Sequence, residues 1–147
     1  MPQIELLTVA NHAEAINGLL YLSGAGWTDL RRPVQAEGPV PLNHIGIGVA
    51  ILVPWDEANQ RHRTSLRIEN ADGQELVQIQ WDLEVGRPAG LPPGSDLRSV
   101  MAFNGEVQFP VAGIYRVVAG VADHTRSVTF RIHDVPMPLP PEPHGRG

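Results

Sequence analysis

The side chains best suited to acid–base or metal chemistry in this chain are six histidines: His12, His44, His62, His124, His133 and His144. A resident metal needs ligands that a strand or a helical turn brings to one point, as in His-x-His or a helical His-x-x-x-His. Neither spacing occurs, and no paired carboxylates accompany the histidines. His12 and Glu14, two apart, read as a surface imidazole beside a glutamate that caps a helical turn. Asp123-His124 reads as a hairpin turn, where both residue types are ordinary. Cysteine is absent, which removes disulfides, thiolate nucleophiles and iron–sulfur clusters. All 11 basic residues are arginine, so Schiff-base and phosphate-loop lysines are removed too. Ser23 lacks the Gly-x-Ser-x-Gly frame of a nucleophile elbow. No metal and no cofactor is expected.

The strongest candidate for a functional surface is the connection Pro54-Trp55-Asp56-Glu57-Ala58-Asn59-Gln60-Arg61-His62. Proline restrains the chain where it leaves a strand, and Trp55 then offers a large apolar face with one N–H donor. Asn59 and His62 are three apart, which one helical turn places on the same side. Trp55, Asn59 and His62 are the predicted binding residues. The same geometry turned inward makes Trp55 a plug and makes Asn59 and His62 ties for loop backbone groups. An enzymatic alternative pairs His62 with Asp56 or Asp123. It needs two of those groups within hydrogen-bond reach in one cleft.

The elements that must position this loop are strands. Alternation with period two is clearest over 45–53, where Ile45, Ile47, Val49, Ile51 and Val53 share one face. It recurs in Val77, Ile79, Trp81, Leu83 and Val85, in Tyr115 to Val121, and in Val128, Phe130 and Ile132. Shorter candidates are 4–10, 19–25, 62–69 and 99–109, giving about eight strands. Asn70-Ala71-Asp72-Gly73 is a hairpin turn signal. Asn11 to Glu14 has a capping-box pattern and reads as a short helical turn, as do 56–59. Pro33 to Pro41 and Gly86 to Gly94 read as loops. Ile47, Val49, Ile79, Trp81, Val117 and Phe130 are expected to be buried. Gly24, Gly26, Gly46 and Gly48 have no helix after them and form no phosphate loop. They are expected to thin a sheet face so that another backbone or a partner can approach.

Many short strands with hairpin turns predict an all-β antiparallel sandwich, immunoglobulin-like or jelly-roll-like. Pro110, Gly113 and Tyr115 are placed as in a tyrosine corner. One domain is expected over 1–135, followed by a disordered proline-rich tail from Pro136 to Gly147. The net charge is −5 and the arginines are scattered, so nucleic acid is not an expected partner. No apolar run approaches a membrane span, and the first residues show neither the charge nor the apolar block of a targeting peptide. Cytoplasmic location follows as the expectation.

Several segments together resemble a bacterial family of small β-sandwich proteins of unknown function. They are Ile4 to Ala13, Asn17 to Leu22, Gly24-Ala25-Gly26-Trp27, Val53-Pro54-Trp55 through His62, Asp72-Gly73 and Phe109-Pro110-x-x-Gly113-x-Tyr115. The resemblance covers roughly residues 3–132. It implies a sandwich and no assigned activity. The expected function is a non-enzymatic binding or assembly module with a protein partner, self-association included. The rival readings are a small-molecule or carbohydrate-binding jelly roll, with Trp27 or Trp55 as stacking platform, and a structural subunit of a phage-type particle.

Overall fold

The computed structural model describes residues 1–137. Nine strands run through them in chain order: β1 Gln3–Ile16, β2 Leu19–Ala25, β3 Asp29–Val34, β4 Leu42–Val53, β5 Arg61–Asn70, β6 Glu75–Glu84, β7 Leu97–Gln108, β8 Gly113–Val121 and β9 His124–Pro136. One 3-10 turn, Trp55–Glu57, interrupts them. The strands form a four-stranded sheet in the order β2-β1-β4-β7 and a five-stranded sheet in the order β3-β9-β8-β5-β6. No described helix is long and apolar enough to cross a membrane.

The core is the space between the two sheets, filled from the faces that alternation marks. Ile45, Ile47, Val49, Ile51 and Val53 face Leu66, Ile68, Val117, Ala119, Val121, Phe130 and Ile132 across it. Phe109, Tyr115 and Phe130 form an aromatic cluster with ring centroids 4.7–6.0 Å apart. The Tyr115 hydroxyl donates to the Val111 carbonyl at 2.5 Å, the back-bond of a tyrosine corner. The Asn70 turn forms as expected, its side-chain oxygen accepting from the Asp72 and Gln74 N–H groups.

Five expectations are corrected. Asn11 to Glu14 is not a helical turn: it lies inside β1, because Asn17-Gly18 is the turn and 11–16 pair with β2 instead. The loop expected from Pro33 begins later, since Pro33 sits in β3. That strand is an edge, where a missing N–H costs no ladder bond. It also pairs parallel to β9, so the sandwich is mixed rather than wholly antiparallel. Ile79 is 39% exposed rather than buried, and Trp81 is half-buried. Both lie on the edge strand β6, where the facing strand β7 does not fully cover them. Pro136, expected to open the tail, instead closes β9: it pairs with Val34, and the Met137 N–H donates to the Val34 carbonyl at 3.0 Å. The rest of that tail, 138–147, lies outside the described residues.

Candidate functional site

The three residues predicted to bind are not presented together. The His62 imidazole is buried, its Nε2 3.0 Å from the Glu57 carbonyl, and so ties the 3-10 turn to β5. Asn59 is exposed and left-handed at φ +60°, a conformation asparagine tolerates better than most residues. Its N–H donates to the Val85 carbonyl. Trp55 packs against the core, and the Arg87 guanidinium covers its ring at 4.7 Å while donating to the Trp55 carbonyl. Trp27, the other proposed platform, meets Phe130 edge-on at 5.4 Å.

A different surface is assembled by the β1–β2 hairpin. Residues 3–10 of β1 pair with β4, whereas 10–16 pair with β2. The second half leaves the sheet plane and lies over the outer faces of β4 and β7. Gly46 and Gly48 make this possible. A Cβ on Gly46 would sit 2.9 Å from the His12 backbone, and one on Gly48 would sit 2.7 Å from the Leu22 side chain. Asn104 on β7 locks the arm in place. Its side-chain amide donates to the Ala13 carbonyl at 2.7 Å, and its oxygen accepts from the Ala13 N–H at 3.0 Å. One side chain thus supplies both bonds of a missing strand partner.

Register then decides which side chains face out. Ala13, Leu20 and Leu22 turn toward the sheet, while His12, Glu14, Ile16, Leu19, Tyr21 and Ser23 share the opposite face. Ile16, Leu19 and Tyr21 are 47%, 60% and 52% exposed. Beside them the His12 and His44 rings stack with centroids 5.8 Å apart. His12 bonds Glu14 at 3.2 Å and His44 bonds Glu106 at 3.0 Å. The arm thus presents one imidazole–carboxylate pair and three exposed apolar side chains on one face, with the His44–Glu106 pair of β4 and β7 beside it. Among the described residues no group of three or more histidine and acidic side chains is placed to hold a metal. The signal that could have found this surface is Asn17-Gly18, a strong two-residue hairpin turn flanked by alternating residues.

Other concavities lie away from the arm among the described residues. An apolar slot of about 80 Å3 opens between the sheets at the β6 and β7 edges, lined by Ile45, Ile47, Ile68, Ile79, Phe103 and Val107. Gly105 faces this gap from β7, with open space where a side chain would stand. The outer face of the five-stranded sheet holds a polar hollow in which Glu69 accepts from Arg67 and pairs with Arg116, each at 2.9 Å. The Arg67 hydrogen bond, reinforced by both guanidinium charges, holds the Glu69 carboxyl below its ordinary value of 4.5 despite burial. A carboxylate lowered in the folded state stabilises above its unfolded value and loses that contribution as pH falls through the folded one. The stability gap between wild type and Glu69→Gln is therefore expected to be widest near neutral pH and to narrow below 4.5. Thermal unfolding across that interval checks it; a gap of constant width would remove the charge from the explanation.

A family model, "Family of unknown function (DUF6941)", matches residues 5–133. No curated protein matches. Among solved structures, a β-glucuronidase from glycoside hydrolase family 2 is similar at 15% identity with a TM-score of 0.44. The similarity covers 66% of this chain and only 10% of the enzyme's.

Proposed function

The chain belongs to DUF6941, a family of unknown function, and we propose that this protein is a non-enzymatic binding or assembly module. The observation that supports this reading is the arm: Ile16, Leu19 and Tyr21 project outward from a hairpin whose backbone Asn104 fixes at both polar groups. Exposed apolar side chains grouped on one element mark interaction surfaces, and tyrosine is among the residue types enriched in them. Fixing the arm in advance lowers the ordering cost of binding. The partner is a protein that covers Leu19 and Ile16 and leaves the polar flank of His12 and Glu14 at the rim.

Leu19→Asp is the test. The side chain is 60% exposed, so the substitution should change stability by no more than about 0.5 kcal/mol. Retention of a partner from cell lysate on the immobilised protein should be lost. Unchanged recovery with Leu19→Asp and with Ile16→Asp would end the claim for the arm.

A further inference from the structure

A sandwich with open sheets has four edge strands, and each exposes unpaired backbone that can template another strand. Here the edges are β2 and β7 in one sheet and β3 and β6 in the other. Three of them are poorly suited to pairing with themselves. β3 carries Pro33. β6 carries Glu75, Asp82 and Glu84 and no basic residue, so a second copy laid against it meets only like charge. β2 has only 7 residues, and its Gly24 is left-handed.

β7 is different. It has 12 residues and no proline, and it pairs with β4 along its whole length. No described segment pairs with its other side. It carries two charged side chains, Arg98 and Glu106. Both share the outer face, opposite Leu52 and His44 on β4, and Ala102 lies midway between them opposite Gly48.

The geometry points to a two-fold dimer in which β7 pairs antiparallel with β7 of a second copy, centred on Ala102. This register places Arg98 of each copy opposite Glu106 of the other, twice over, as an isologous interface requires. Val100 falls opposite Asn104. On the inner face Met101 falls opposite Phe103, and Leu97 opposite Val107. Opposite charges and apolar pairs directly across an antiparallel ladder both stabilise it. Shifting the centre by two residues either way leaves neither charge opposite its complement, so the charges also fix the register. The bonds Arg98 and Glu106 already make do not compete strongly. Arg98 binds Glu5, and Glu106 binds His44, both at the surface. A guanidinium has further N–H donors to offer. The inference rests on the assembly reading only in taking a protein as partner; its surface is the free edge of β7, which adjoins the arm at Asn104 but does not use Ile16, Leu19 or Tyr21.

Reversing one charge and then both tests it on the full chain. Wild type should sediment as a dimer at about 0.2 mM and dissociate on dilution, as edge pairing of modest affinity does. Arg98→Glu sets like charge against like charge at both symmetric positions, as does Glu106→Arg. Each should weaken the dimer by about tenfold or more. The double variant restores complementarity in reverse and should return to within about threefold of wild type, which a misfolded protein could not do. Circular dichroism on each variant separates unfolding from dissociation. A wild type that stays monomeric, single variants that still dimerise, or a double variant that does not recover would each overturn the pairing. The arm proposal is read separately, from partner retention by Leu19→Asp.

Discussion

Phe130→Ala is expected to destabilise the protein by about 3–5 kcal/mol in urea unfolding. The ring is 1% exposed and stands at the centre of the aromatic cluster, edge-on to Trp27 and Phe109 and stacked with Tyr115 at 6.0 Å. Truncation removes the transfer free energy of the ring and leaves a cavity between two sheets. Their hydrogen-bonded strands cannot close in to fill it. Each aromatic contact adds about 0.5–1.5 kcal/mol beyond area. Domains of this size have about 5–15 kcal/mol in total, so the variant should lose a large part of its margin. A loss below about 1 kcal/mol would mean that β9 is out of register by one residue, since such a slip turns every side chain to the other face.

The second large effect falls on a residue that looks unimportant from the surface. Arg32 is 1% exposed, with Nε donating to Asp134 at 2.6 Å and Nη1 donating to the Phe109 carbonyl at 2.6 Å. Asp134 itself is 39% exposed. Asp134→Ala strips the counter-charge from a guanidinium that is itself buried, and an uncompensated buried charge costs about 3–5 kcal/mol. Arg32→Met removes the charge, fills much of the volume and leaves the Asp134 carboxylate hydrated. Its main cost is the unpaired Phe109 carbonyl, about 1–3 kcal/mol. Asp134→Ala should therefore be the worse of the two, although the side chain it removes is far more exposed. Placing Asp134→Ala in the Arg32→Met background should cost much less than placing it in wild type, because no buried cation remains. Equal costs in both backgrounds would show that the pair carries no coupling.

Where local pattern and final environment agree, the sequence is a good guide to this fold. The alternation of Ile45 to Val53 survives because β4 is central, with a strand on either side and a sheet opposite. Val117 and Phe130 lie in the middle of the other sheet and are buried as expected. Ile79 follows the same period but lies at an edge, and periodicity reports which face a residue takes, not how far the opposing sheet reaches. The parallel pairing of β3 with β9 left no local trace, because Pro33 argues for a loop unless the strand is known to be an edge. The candidate site divides the same way. A short turn after Pro54 was legible, expected at 56–59 and found at Trp55–Glu57, but the inward bond of His62 depends on where β5 begins relative to Glu57. The arm was legible in principle from Asn17-Gly18. It was hidden by a competing capping pattern at Asn11 and Glu14, two residue types equally at home in an exposed strand. The role of Gly46 and Gly48 follows only once the arm lies over them: packing within the monomer, the simpler of the two uses expected.

The Arg32–Asp134 pair joins positions 102 residues apart, through the one parallel pairing among the described residues. Hairpins such as β1–β2 and β8–β9 close short loops and can form on a microsecond scale. The β3–β9 pairing must close most of the chain before it returns any contact, so its entropic cost falls late in folding. During synthesis, β3 emerges with no strand to pair with until nearly all of the described chain has been made. Arg32 then waits as a hydrated cation and loses its water only when β9 arrives. The pair therefore acts as a closing clasp. Weakening it leaves the rate of folding almost unchanged and shortens the lifetime of the finished domain.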